Sequence, residues 1–141
     1  MEGLIDRRSV SLDVALSLLA AVRDEASSRG LALAIAVVDD GGNVVASARM
    51  DGAALGAMPL AFGKAYTAVL WDTPTGAFTA STQPGGDDWG WNATDMRIVV
   101  YPGGVPLHAD GGLVGGVGAS GATAAEDEAC VLAAVRAARL A

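Results

Sequence analysis

Three charged side chains stand in otherwise apolar sequence, and together they could do chemistry. Arg49 and Asp51 close the stretch AIAVVDDGGNVVASARMDGA from Ala34 to Ala53. Lys64 lies among Ala61, Phe62, Ala65, Ala68 and Val69. A lysine in apolar surroundings gives up its proton more readily, so Lys64 could act as a base or hold a carboxylate. In one reading Arg49 or Lys64 holds an anionic group while Asp51 or Lys64 moves a proton. That would be a cofactor-independent lyase, isomerase or hydrolase acting on a small organic acid or an aromatic metabolite. In the plainer reading Lys64 forms an ion pair with Asp51 or Asp39. The two are compatible, because an ion pair can line a pocket.

Other residues carry weaker chemical signals. His108 is the only histidine; it could ligate haem iron or act as an acid or base, but one histidine does not make a zinc site. Cys130 sits between Ala129 and Val131 and reads as a buried, inert helix residue. The run GGVGASG, Gly115 to Gly121, stands before a helix, where backbone amides could bind an anion. It is not a Walker sequence, and the glycines more simply let a helix approach a strand closely. Trp89, Trp91 and Tyr101 surround an acidic, glycine-rich loop; they could close over a flat apolar ligand or anchor a contact between subunits.

The elements that must position these residues follow from local pattern. Apolar residues at helical spacing predict a helix from Ser11 to Arg29, capped by Ser9 or Ser11 and stopped by Gly30. A strand from Leu31 to Asp39, a turn over Asp40-Gly41-Gly42-Asn43 and a strand from Val44 to Arg49 form a hairpin. Pro59 suits the first position of a helix ending near Trp71. Thr73-Pro74 suits the start of a short helix through Phe78. Ser81 to Asp95 has no clear pattern, and Met96 to Tyr101 reads as a short strand. A second hairpin joins Val105–Ala109 to Leu113–Ala119. Thr123-Ala124-Ala125-Glu126 is a capping box that opens a last helix, with Asp127 and Glu128 at its positive end. The sum is one α+β domain spanning 1–141: an antiparallel sheet of about five strands with helices packed on its faces.

Composition limits the partners. The chain has 141 residues, a formal net charge of −7 and 18% charged residues. With no Lys/Arg cluster it lacks the positive footprint that nucleic acid or an anionic membrane needs. Its low charge content suggests apolar surface hidden in a homo-oligomer. No apolar run reaches the ~18 residues of a membrane span. The start, MEGLIDRR, does not have the pattern of a signal peptide, and with a single cysteine the expectation is the cytoplasm.

Three segments carry a family resemblance: Ile35 to Ala53, Lys64-Ala65-Tyr66-Thr67-Ala68, and Gly103 to Gly121 with Asp127. As a set, VVDDGGNVV, RMDGA, KAYTA, GGVPL, VGGVGASG and DE resemble the GlcG/HbpS family, which includes the C-terminal domain of PduO-type proteins. The resemblance implies an α/β/α arrangement and oligomers from dimers to octamers. It also implies haem binding or haem degradation. His108 would then be the axial ligand, with Tyr66, Gly104 and Gly118 as further cofactor-binding positions and Met50, Met58, Tyr66 and Lys64 as less usual iron ligands. A third reading is a non-catalytic module that binds or carries a small acid.

Overall fold

The computed structural model describes residues 2–141. Its elements are α1 (Leu12–Ser28), β1 (Ala34–Asp39), β2 (Val44–Arg49), α2 (Ala57–Trp71), β3 (Gly104–Ala109), β4 (Gly112–Ser120) and α3 (Ala124–Ala138). Two 3₁₀ turns, Thr75–Phe78 and Trp91–Ala93, lie between α2 and β3. The strands form one antiparallel sheet in the order β2-β1-β4-β3.

Alternation along β1 sets the layers. Ile35 and Val37 join Leu18 and Val22 of α1 and Val131 and Val135 of α3 in one core. Ala34, Ala36 and Val38 turn to the opposite face, against Ala57, Ala61, Ala65 and Val69 of α2. β1 is therefore buried on both sides, as its uninterrupted apolar run demands. Two helices cover one face and one covers the other, so the α+β sandwich is as expected.

α2 approaches the sheet unusually closely because β4 is bare beneath it. A Cβ on Gly118 would stand 2.2 Å from the Ala61 carbonyl oxygen and 2.6 Å from the Ala65 nitrogen. One on Gly116 would stand 2.6 Å from Val69 Cγ2, and one on Gly104 2.2 Å from the Lys64 carbonyl oxygen. The glycine run thus serves helix packing, the simpler of its two readings. These glycines and the alanines of α2 form a matched pair of flat surfaces, and dispersion over that close contact replaces larger interlocking side chains.

Four boundaries differ from the sequence reading. The sheet has four strands, not about five. The segment from Met96 to Tyr101 forms no strand: Met96 and Arg97 lie in a turn closed by the Ile98 amide on the Asp95 carbonyl at 3.0 Å, and the chain then runs along the outer face of α2, where the Val99 amide donates to Thr67 Oγ1 at 2.9 Å. Gly63 leaves room for it, since a Cβ there would meet Val99 Cγ2 at 2.4 Å. α2 begins at Ala57, two residues before Pro59, and Pro74 caps the 3₁₀ turn instead of opening a helix. Ser11, not Ser9, caps α1 by accepting the Val14 amide, and the capping box at Thr123 and Glu126 is complete.

Gly118→Ala is expected to lower unfolding free energy by about 2–3 kcal/mol, because the backbone of α2 must move to admit one methyl group. Gly112→Ala, where the nearest heavy atom is 3.8 Å away, serves as the near-neutral control. Urea denaturation of the two variants checks the contrast.

Candidate functional site

Lys64 is buried, and its partner is Asp127, not Asp51 or Asp39. Lys64 Nζ donates to Asp127 Oδ2 at 2.9 Å and to the Ala119 carbonyl at 3.0 Å. Asp127 Oδ1 accepts the Ala122 amide at 3.0 Å. Both side chains are under 5% exposed. The pair joins α2, on one face of the sheet, to the first turn of α3, on the other, around the end of β4. It fits there because Gly103 (φ +126°) carries no Cβ; one would stand 2.9 Å from Nζ. A buried lysine so satisfied is a structural tie.

Arg49 and Asp51 remain together, in a lining that does not include Lys64. They border a cavity of about 410 Å³ between α1 and β2, with Leu19, Arg23, Ser27, Ile35, Ala48 and Met50. The floor is apolar, and the rim carries Arg23, Ser27 and Asp51. The Arg49 guanidinium itself turns toward the loop before α2, donating from Nη1 to the Ala53 carbonyl at 3.1 Å. Among the described residues Arg23 is bound only to its neighbour Asp24 on the surface, an exposed pair worth little and readily exchanged for a ligand anion. Of the three charged residues expected to act together, Arg49 and Asp51 border this cavity, while the Lys64 ammonium is held by Asp127.

The expected cofactor positions also separate. Gly104 and Gly118 lie under α2, against its backbone. The Tyr66 ring packs on the first hairpin turn, where a Cβ on Gly42 would meet its Cδ2 at 2.9 Å. Its hydroxyl donates to Asp95 Oδ2 at 2.9 Å, and the Arg97 guanidinium stacks 4.3 Å from its centroid. Hydrogen bonds from Arg97, with Tyr66 adding another, hold the Asp95 carboxyl far below the usual carboxylate range. Burial, then the bond to Asp95, pushes the Tyr66 hydroxyl up.

His108 is half-buried on edge strand β3, with Nε2 2.6 Å from Asp72 Oδ1. Arg49 is on the other edge strand, at the other end of the sheet. Arg49 registers with Ala34 and Ser120, whereas His108 registers with Leu113. Three strand spacings and seven residues of β4 separate them by roughly 14 Å across and 23 Å along the sheet. No single small ligand touches both within one protomer.

The tryptophan loop divides as well. Trp91 packs edge-on against Trp71, centroids 4.8 Å apart, and against Phe78, while Trp89 and Tyr101 are exposed. A further cavity of about 520 Å³ separates α1 from α3. Val14, Leu18, Ala134 and Leu140 line it, with Asp13 and Ser17 as its polar residues, so it offers no cation to an acid. Among the described residues no helix is long and apolar enough to cross a membrane.

The partner of Lys64 was missed because Asp127 lies 63 positions away and also suits a helix start. The α1–β2 cavity was missed because its α1 residues carry no motif.

Comparison with known proteins places this geometry. Residues 10–136 match the family described as haem degrading protein HbpS-like. A 15.0 kDa protein from the dhaT-dhaS intergenic region of Citrobacter freundii is 34% identical over 120 residues, covering 84% of each chain. The crystal structure of Klebsiella pneumoniae protein ORFY superposes with a TM-score of 0.94 at 29% identity, covering 100% of this chain and 98% of that one. That of a PduOC:haem complex gives 0.86 at 30% identity, covering 92% and 94%.

Lys64→Met is expected to cost about 3–5 kcal/mol by stranding a buried carboxylate, and Lys64→Met/Asp127→Asn much less than the sum of its single variants. A double-mutant cycle in urea measures this coupling. Asp95 contributes stability that is present above its unfolded pKa and lost as pH falls below it. Asp95→Asn should therefore flatten the acid limb of the stability profile below about pH 4.

Proposed function

This chain belongs to the HbpS-like family, and on that premise we propose that it is a small-ligand-binding protein whose ligand is a flat apolar acid, the class that includes haem. The observation that carries this reading is the cavity between α1 and β2. Its volume of about 410 Å³ falls within the usual range for ligand sites. Leu19, Ile35, Ala48 and Met50 offer a ring system an apolar surface, and Arg23 and Ser27 offer a carboxylate donors at the rim. The PduOC relative crystallised with haem supports the ligand class.

The donors present decide how haem would sit. Met50 lines the cavity and a thioether can ligate haem iron, although its sulfur now accepts the Leu33 amide at 3.3 Å. Haem bound there would supply its own redox chemistry; the chain would contribute an apolar wall, an arginine at a propionate and limited access for water. His108 does not line this cavity, and Asp72 occupies its Nε2. The enzyme reading loses Lys64 as its base, because Lys64 is tied to Asp127. Binding without turnover, as a carrier or store of a small acid, is the role these residues serve.

Haemin titration from about 350 to 700 nm tests the reading. A saturable Soret change is expected for the wild type and for His108→Ala. Ser27→Trp, which fills the cavity mouth from the exposed side of α1, and Arg23→Glu should each weaken binding about tenfold, the equivalent of 1.4 kcal/mol. Loss of the band in His108→Ala, with full binding in Ser27→Trp, would transfer the site to the opposite corner of the sheet.

A further inference from the structure

An acid entering the α1–β2 cavity meets a carboxylate at the rim. Asp51 borders that cavity, and the arginines of β2 and α1 are turned to other acceptors. Arg49 donates to the Ala53 carbonyl, Arg23 to Asp24 and Arg29 to Glu25. Among the described residues no cation is paired with Asp51. A simple carboxylic acid would bring a second negative charge beside the first, and like charges set together cost affinity.

The backbone puts Asp51 at the same end of the cavity as Ser27. β2 ends at Arg49, and the Ala53 amide donates to the Met50 carbonyl at 3.1 Å, closing a turn with Asp51 and Gly52 at its tip. Gly52, at φ +86°, stands beside the connection from α1 to β1; a Cβ on it would lie 3.9 Å from Ala32 Cβ. That connection leaves the C-terminal end of α1, which ends at Ser28. Leu19, Arg23 and Ser27 form one row along α1 at four-residue spacing. Arg23 is therefore about one turn in from that end and Leu19 about two. The Ile35–Ala48 register pair lies in the apolar floor.

The end of α1 adds to the same polarity. A helix C-terminus carries partial negative charge, which favours a cation. α1 has no basic residue in its last turn, and the Arg29 guanidinium at its cap is taken by Glu25 at 2.6 Å. We propose that the ligand is an α-amino acid with a large, flat apolar side chain. Its ammonium donates to Asp51, its carboxylate accepts from Arg23 and Ser27, and its side chain lies on Leu19, Ile35 and Met50. This rests on the cavity being the ligand site, and it narrows the acid to a zwitterion.

Such a head group answers each charge at the rim. The ammonium and carboxylate of an α-amino acid sit on one carbon, which suits a rim whose acid and base border one apolar floor. The ligand carries no net charge, so the field of a chain with formal charge −7 does not repel it. An acid without the amine leaves Asp51 unanswered. An amine without the acid leaves Arg23 with Asp24. Haem, an acid without an amine, would draw on Arg23 and the floor alone.

Isothermal titration calorimetry of the full chain with L-tryptophan, indolepropionate and tryptamine tests this, because the three share one ring system and differ in the head group. Tryptophan is expected to bind about fivefold tighter than either of the others. Asp51→Asn should weaken tryptophan and tighten indolepropionate, so that the preference disappears. Asp87→Asn, which removes the same charge from an exposed loop position, should keep it. Ser27→Trp should weaken both acids. Indolepropionate binding as tightly as tryptophan, a preference kept in Asp51→Asn, or tryptophan binding unchanged in Ser27→Trp would each overturn the zwitterion. So would a chain that takes neither indole acid yet binds haemin in a manner weakened by Ser27→Trp, which leaves the cavity as an acid site. Failure of haemin and both indole acids alike would overturn the cavity reading together with this proposal. If Asp51→Asn does not fold, the comparison of ligands on the wild type decides.

Discussion

The buried pair of Lys64 and Asp127 is the constraint on which the rest of the structure turns. It spans three layers: α2 on one face, the end of β4 in the sheet, and the start of α3 on the other face. Burying two charges is expensive, and the expense is offset only when every remaining donor and acceptor is used. Here the ammonium takes both a carboxylate and a carbonyl, and the carboxylate's second oxygen takes the Ala122 amide. The glycines follow from the same demand. Gly103 and Gly118 must lack side chains for α2 to lie close enough to deliver the ammonium to that point. The motifs KAYTA, VGGVGASG and DE are thus three parts of one packing solution.

Much of the fold was legible because its signals are local. The Asp-Gly turn, the capping box at Thr123 and the alternation of β1 each declare themselves within a few residues. The segment before β3 was not legible in the same way. Met96 to Tyr101 has strand-like composition, but whether it joins a ladder depends on what lies beside it, and Gly63 and Thr67 of α2 claim that place. Local propensity says that a backbone will be extended; it does not say with what it pairs.

The site was legible only in pieces. Lys64 stood out as a charge on an apolar helix, but its chemistry depends on a partner far along the chain. His108 stood out by being alone, yet the register places it at the corner of the sheet remote from Arg49. The α1–β2 cavity carries no motif on its helical side; Leu19, Arg23 and Ser27 are ordinary amphipathic-helix residues whose meaning comes from the strand they face. A cavity is a property of the surface between elements, and sequence spacing within one element does not encode it.

These placements separate a scaffold, held by a buried ion pair and a glycine floor, from the α1–β2 cavity that the proposed function makes the ligand site. The most direct test of that division is amide NMR of the protein with haemin added, where the ferric ion broadens signals near it. Broadening confined to Leu19–Ser27 and Ala48–Asp51, with Asp72 and His108 unaffected, is the expected result. Broadening centred on Asp72 and His108 would contradict it and move the ligand to the other edge of the sheet.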